Sequence, residues 1–418
     1  MGKLGDNIRN LRERMGVSQD KLAEWLGVSR PIVSQIEQGQ REAGSKELFG
    51  IADFFGCTVS DLLAESRDLE AVGVRFRRSM DIEKDDSVWK AVTESIRLAR
   101  ESANLREILG IGVSDLCLPG YSIPPPQDRR EAVRKGYDIA QKERNRLGLG
   151  SERIENLGEL MEAEGVYAGV LEMPYEISGF TITLDDVGSI CMVNERHAGL
   201  RRRFSLAHEY GHVLMDSKLG AVVSKTTEND ELIEVRANVF AAAFLVPETG
   251  CMEMIRRIGK GSDSRVSSEV FDGENVTRIG ERNRAEHQQI QLYDAARLAF
   301  YFGVSIQAML YRLKNMGLVS QAWLDVLMEK ESSSEGAHLK SLMKQHDTDD
   351  RLEEPDLFRC TVINMALEAL RRGEISAGKC LEVGRLACAP DQYDDFRGLV
   401  LEIADEEVPA VIPEEETN

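Results

Sequence analysis

Long apolar runs are missing from this 418-residue chain, and nothing in it approaches the roughly 18 consecutive apolar residues that a membrane span needs. The N-terminal MGKLGDNIRNLRERMG carries charges where a secretory signal would carry its apolar core, so the expectation is a cytoplasmic protein with no membrane segment. Cysteine is sparse and unpatterned. Its seven residues, at positions 57, 117, 191, 251, 360, 380 and 388, form no C-x-x-C pair and are odd in number, which argues against a disulfide framework or a cysteine zinc cluster. They are read as small buried hydrophobes. Histidines number only six, so two of them close together demand a reason. Positive charge is short as well, with a net −20 that would oppose nucleic-acid binding if it were spread evenly. It is not. Residues 320–418 hold 10 basic against 23 acidic residues, or −13, whereas 9–41 holds six basic (Arg9, Arg12, Arg14, Lys21, Arg30, Arg41) against four acidic, which leaves room for a locally positive face.

With 42% apolar residues, 418 residues suffice for two or three cored domains. Residues 1–67 read as five short helices. Ser18 and Ser29 stand at N-cap positions, Pro31 falls in a first turn, and Gly16, Gly27, Gly39 and Gly56 act as stops. Residues 68–126 read as a helical linker that ends in the proline-rich LPGYSIPPPQD. A domain spanning 127–318 opens with two polar helices and continues into strand-like VYAGVLEM, SGFTITLDD and GSICMVN. The glycine- and serine-rich 259–284 is expected to be a mobile loop, and two helices close the domain. An acidic helical region, 319–418, ends in about a dozen residues expected to be disordered. The fold class expected is α+β, mostly α.

The stretch RRRFSLAHEYGHVLMD places His208 and His212 one turn apart on one face of a helix, both imidazoles aimed at one point. Zinc favours such a geometry, and Glu209 beside the first ligand is placed to act as general base on an attacking water. A third ligand is needed. DELIEVRANVFAAAFLVP offers Glu231 and Glu234 at i, i+3; Glu231 suits the helix N-terminus, and Glu234, deeper in an apolar run, is the expected ligand. His197 and Tyr210 are weaker candidates for an oxyanion donor, with a surface histidine and a packing tyrosine as the competing readings. A thiol from Cys191 or Cys251 on the open zinc position is a further, weaker idea.

These residues resemble the ImmA/IrrE metallopeptidases, whose core pattern stands here as Asn194, RRRFSLAHEYGH and EVRANVFAAAFLVP, with the later FGVSIQAMLYRLKNMGL; the likeness covers about 128–318. The resemblance implies a gluzincin-like domain with zinc on His208, His212 and Glu234, and Glu209 as the catalytic residue. Asn238, one turn beyond Glu234, is placed to support a ligand from behind.

SQDKLAEWLGVSRPIVSQIEQGQ resembles the two central helices of the Xre, lambda-repressor-like helix-turn-helix family. The resemblance implies a second helix entering the major groove. Ser29, Arg30, Ser34 and Gln35 are then exposed toward base edges, while Gln19 and Arg41 lie near phosphates. It also implies an operator in double-stranded DNA and a homodimer to read paired half-sites. LAFYFGVSIQAM echoes LAEWLGVSRPIV but lacks the E-x-G turn, and is read as part of the peptidase-like domain. The function expected is a DNA-binding regulator with an integral zinc endopeptidase that cuts a repressor-like protein on a signal such as stress, DNA damage or mobile-element control. The alternative is a non-proteolytic repressor or antitoxin that uses the peptidase fold as a sensor.

Overall fold

The computed structural model describes residues 3–14, 17–55, 59–63, 86–111, 120–121, 123–184, 187–225, 231–260, 269–272, 275–278, 288–344, 356–389 and 391–406. Gly16, Gly56, Cys57, Cys117, most of the loop expected at 259–284 and the final dozen residues lie outside that set.

Five helices open the chain: α1 (Lys3–Arg14), α2 (Gln19–Leu26), α3 (Arg30–Glu37), α4 (Ser45–Phe55) and α5 (Val59–Leu63). The Ser18 hydroxyl accepts from the Lys21 amide, and Gly27 ends α2 at φ 64°, a left-handed conformation that glycine adopts without a Cβ penalty. Ser29 and Pro31 start α3 as the sequence reading expects, although the Ser29 hydroxyl makes no capping bond. Ile8, Leu11, Leu22, Val33, Ile36, Ile51 and Phe55 fill the centre. The fully buried Glu37 carboxylate is balanced by Arg12, whose Nε lies 2.6 Å from it, as burial of a charge requires.

The next helix, α6 (Asp86–Ile108), lies within the stretch read as a linker, yet it packs on both sides. Arg97 and Arg100 reach Asp53 of α4 at 3.2 and 3.5 Å. It also packs against two helices from the far end of the chain, α16 (Leu357–Arg371) and α17 (Ala377–Ala387), through buried Ile96, Ala99, Val362 and Val383, and those two carry α18 (Tyr393–Glu406). Lys379 Nζ closes an ion pair to Glu101 at 2.8 Å. Sequence periodicity carries no information on such a pairing, because its partners are more than 250 residues apart.

Between these layers lies a four-stranded sheet of order β1-β3-β2-β4, formed by β1 (Val166–Leu171), β2 (Ile177–Leu184), β3 (Gly188–Asn194) and β4 (Ala221–Lys225). β1 runs parallel to β3, and β2 runs antiparallel to β3 and β4. The strands are buried on both faces, which explains their nearly continuous apolar runs. Tyr167, Ile190 and Met192 face α6 and α16, with Tyr167 4.9 Å from the Phe358 ring. Ala168, Cys191 and Val193 face the other way, onto α9 (Gly199–Asp216), the helix that carries H-E-x-x-H. The sequence reading lacked β4, whose AVVSK is too short to show a period.

Two polar helices, α7 (Arg129–Arg146) and α8 (Leu157–Ala163), precede the sheet, and α10 (Leu232–Leu245) and α11 (Glu248–Arg257) follow α9. Within the stretch expected to be a mobile loop, β5 (Glu269–Asp272) and β6 (Asn275–Arg278) pair antiparallel. The echo segment forms α12 (Leu292–Phe302) and α13 (Ile306–Asn315), which pack with α14 (Gln321–Ser332) and α15 (Ser334–Lys344). Buried Arg312 bonds the Val246 carbonyl at 3.0 Å, tying α13 to the end of α10. Among the described residues, no helix is long and apolar enough to cross a membrane.

Helices α7 and α10 touch at Gly136, where an added Cβ would come within 2.4 Å of the Arg236 carbonyl oxygen and 3.1 Å of the Phe240 nitrogen. Because the obstacle is backbone, Gly136→Ala is expected to destabilise the protein by roughly 1–3 kcal/mol. Thermal unfolding checks this, and an unchanged midpoint would mean that the helices can part freely.

Candidate metal centre

Helix α9 is buried along its whole second half, from Ser205 to Asp216, because the sheet covers one side and α10 the other. Gly211 permits the close approach: a Cβ there would sit 2.9 Å from the Phe240 ring. The contact brings Glu234 of α10 onto the histidine face of α9. His208 Nε2 lies 3.1 Å from one Glu234 oxygen and His212 Nε2 lies 3.3 Å from the other, while the two Nε2 atoms are 3.0 Å apart. All three side chains are buried, at 5%, 0% and 5% exposure. Ligands at about 2.0–2.1 Å from a tetrahedral zinc are mutually separated by roughly 3.3 Å, so the three atoms stand where one ion would hold them. Among the described residues they form the group of histidine, cysteine and acidic side chains able to share a metal.

Glu231 is exposed at the N-cap of α10, where the helix dipole favours it, and takes no part. Glu209 is fully buried on the same helix as the histidines. Its Oε2 accepts the Thr181 hydroxyl from β2 at 2.7 Å, and the Ser224 hydroxyl of β4 also acts on the carboxylate, while Oε1 has no well-formed hydrogen bond among the described residues. Gly179, one pleat along β2, provides its space, since a Cβ there would lie 3.0 Å from Oε1. Burial pushes the Glu209 carboxyl above its ordinary pKa against the pull of both histidines. An orphaned buried carboxylate oxygen is costly in a closed site; beside three converging metal donors it suits a site built for an ion and a water.

Each imidazole is held from behind. His208 Nδ1 bonds Asn238 Oδ1 at 3.0 Å, the partner expected from the sequence, and His212 Nδ1 bonds Asp216 Oδ2 at 2.9 Å. Asp216 in turn accepts from the fully buried guanidinium of Arg236. Burial opposes protonation of His212, but Asp216 and Glu234 outweigh it and raise its pKa to about 10. Desolvation likewise opposes the charged form of Glu234, and the two histidines reverse it, holding the carboxyl far below its usual range. The sequence reading overlooked Asp216, Arg236 and Thr181. The i, i+4 spacing from His212 was a visible sign for Asp216; Thr181 had none, because the β2 register decides its position.

The remaining candidates fall elsewhere. Tyr210 donates its hydroxyl to the buried Glu143 at 2.5 Å, which also accepts from half-buried Tyr121 and exposed Arg146, as a packing tyrosine. His197 is 3% exposed rather than a surface histidine; its Nε2 meets the Tyr175 carbonyl at 3.0 Å and its ring packs edge-on against Tyr175. Cys191 is buried beside Thr181 and Cys251 lies near Arg312, and neither belongs to the ligand group. A cleft of about 170 Å³ opens over the ligands, lined by Ser178, Arg201, Phe204, and by Ser224 and Lys225 of the edge strand β4.

In the N-terminal module, Ser29, Arg30 and Gln35 are exposed on α3, with Arg30 3.7 Å from Asp20. Ser34 is half-buried and its hydroxyl accepts from Gln38. Gln19 donates one amide hydrogen to Glu37 at 2.8 Å, and exposed Arg41 pairs with Glu47 at 2.9 Å.

The two units define a DNA-binding regulator joined to a peptidase-family domain. A helix-turn-helix family model matches residues 8–62, and the model of the IrrE N-terminal-like domain matches 167–272. An HTH-type transcriptional regulator of Methanocaldococcus jannaschii is 33% identical over 63 residues, 15% of this chain and 96% of that protein. The chain therefore belongs to the helix-turn-helix transcriptional regulators, and fused to that module it carries an ImmA/IrrE-type domain. It is also similar to the propionyl-CoA carboxylase regulator of Cereibacter sphaeroides, 23% identical over 272 residues, 58% of this chain and 57% of that protein. The radiation response metalloprotease IrrE of Deinococcus radiodurans is 36% identical over 80 residues, 18% of this chain. The chain thus spans 57% and 24% of the lengths of these last two relatives.

Asp216→Ala removes the acceptor of His212 and strands Arg236, so zinc affinity is expected to fall roughly 10–100-fold. Competition against a chromogenic chelator reads this directly; unaltered affinity would mean that Asp216 does not support the site.

Proposed function

We propose that the protein is a cytoplasmic DNA-binding regulator whose IrrE-like domain is a zinc endopeptidase that cuts a regulatory, repressor-like protein when a signal arrives. One observation carries the reading: three buried donors spaced for a single ion, with the buried Glu209 next to His208 on the same helix. Zinc bound there supplies Lewis-acid polarisation of a peptide carbonyl and lowers the pKa of water. His208, His212 and Glu234 hold it, and Asn238 and Asp216 fix the two imidazoles with Nε2 facing the ligand point. Glu209 takes a proton from the attacking water and passes it to the leaving amine. Thr181 anchors one carboxylate oxygen and so fixes the side chain, and the burial that raises the Glu209 pKa strengthens it as a base. Edge strand β4, with Ser224 and Lys225 on the cleft, offers backbone along which an extended substrate segment can lie.

Glu209→Gln keeps the size and burial of the side chain but removes the base. The expected outcome is unchanged zinc content and DNA affinity with cleavage of co-expressed candidate regulators abolished, read by mass spectrometry; cleavage that persists would end the mechanism.

For DNA, Arg30 and Gln35 on the exposed side of α3 are the base-reading candidates, with Ser29 and Ser34 beside them and Gln19 and Arg41 at the backbone. A homodimer would place two α3 helices on paired half-sites. Gln35→Ala is expected to weaken binding to a selected operator by about 1–3 kcal/mol while leaving nonspecific affinity nearly unchanged; equal loss on all sequences in a mobility-shift series would remove Gln35 from base reading.

A second reading has one observation in its favour: the relative aligned over 272 residues is described as a regulator and not as a protease. There the peptidase fold would sense a partner without cutting. The Glu209→Gln comparison separates the two, because a pure sensor behaves identically with and without the base.

A further inference from the structure

A groove of about 1000 Å³ lies beside the metal cleft and shares two of its walls, Phe204 and Asn238. Its charge opposes that of the protein as a whole. In a chain with 72 acidic and 52 basic residues, the groove is lined by Arg129, Arg130 and Arg134 from the first two turns of α7 and by Arg312 and Lys314 of α13, with no acidic side chain among the described residues that line it. Two carboxylates on the flanking helices are engaged. Glu131 pairs with Lys135 at 2.9 Å and Glu248 accepts the Tyr137 hydroxyl at 2.7 Å. Arg312 is only 4% exposed, spends one N–H on the Val246 carbonyl, packs over the Tyr137 ring at 5.5 Å and leaves Nη2 without a hydrogen-bond partner among the described residues.

We infer that this groove is the recognition site for an acidic segment of the polypeptide that is cut, docking Asp and Glu side chains on α7 and α13 while the adjoining backbone enters the cleft. The inference rests on the peptidase reading of that cleft. Continuity selects a polypeptide over other anions: Asn238 lines the groove and also bonds the ligand His208, so a chain in one space runs into the other. Exposed Val133 and Tyr311, at 40% and 53%, stand between the cations and give apolar contact to side chains. The volume lies at the top of the range for small-ligand pockets, roughly 300–1,000 Å³, as suits several residues of an extended chain. Charges arranged in this way chiefly steer and select the partner.

The test uses full-length Glu209→Gln protein, which should bind without cutting, and fluorescence anisotropy with three labelled probes of equal length: oligoglutamate, oligolysine and single-stranded DNA. Oligoglutamate is expected to bind in preference to oligolysine and to weaken as salt rises. The triple reversal Arg130→Glu, Arg134→Glu, Lys314→Glu changes exposed side chains and is expected to weaken oligoglutamate binding by about tenfold or more. Reversal of exposed Arg397 on α18 should leave it unchanged. Failure of oligoglutamate to bind, binding indifferent to the triple reversal, or tighter capture of the DNA probe through the same three residues would each overturn the inference. The readout is binding, so an absence of cleavage in the unaltered protein removes the peptidase reading without imitating any of these results.

Discussion

Two histidines and a glutamate, buried together, cannot be held at hydrogen-bond distance without compensation for their charge and lost hydration, and the domain is arranged around that requirement. Asp216 and Asn238 satisfy the outward nitrogens, and Arg236 balances Asp216. Two glycines, Gly136 and Gly211, let α10 lie against α7 and α9 closely enough for Glu234 to reach the histidines. The sheet then closes the opposite side through Thr181, so that Glu209 and the three converging donors are fixed by different elements. A shift in any one of these packings moves the donors relative to one another, and metal chemistry tolerates little of that.

The same economy of charge links the two ends of the molecule. Glu37 is buried in the helix-turn-helix unit against Arg12, and Asp53 on its surface meets Arg97 and Arg100 of α6. That helix in turn lies with α16 against the sheet face turned away from the two histidines and Glu234. The regulator module, the long helix, the C-terminal helices and the sheet therefore form one continuous apolar core, while α9, α10 and the helices α12 to α15 form the other. The sheet is the wall between them, and its strands are apolar on both faces for that reason.

Periodic and local features were legible in the sequence. The five short helices, the three longer strands and the helices that flank them all carry caps, glycine stops or alternation that act within a few residues. The H-E-x-x-H spacing fixed the direction of two imidazoles, and the buried carboxylate of Glu234 was visible as a charge inside an apolar helix. What escaped were features that depend on partners distant in the chain. β4 is too short to carry a period, Thr181 meets Glu209 only through the register of β2 against β3, and Arg236 reads as an ordinary cation until Asp216 is brought to it.

By itself, then, the sequence determined which side chains could do chemistry, because the pitch of a helix sets the mutual position of residues three and four apart. It also determined that a helix-turn-helix module stands at one end, since that unit is built from local turns and caps. Tertiary structure alone decided that Thr181 meets Glu209, that Arg236 meets Asp216, and that the cations of α7 and α13 line a single groove. Those outcomes follow from how whole helices and strands cross one another, a property of packed surfaces that no short stretch of residues encodes.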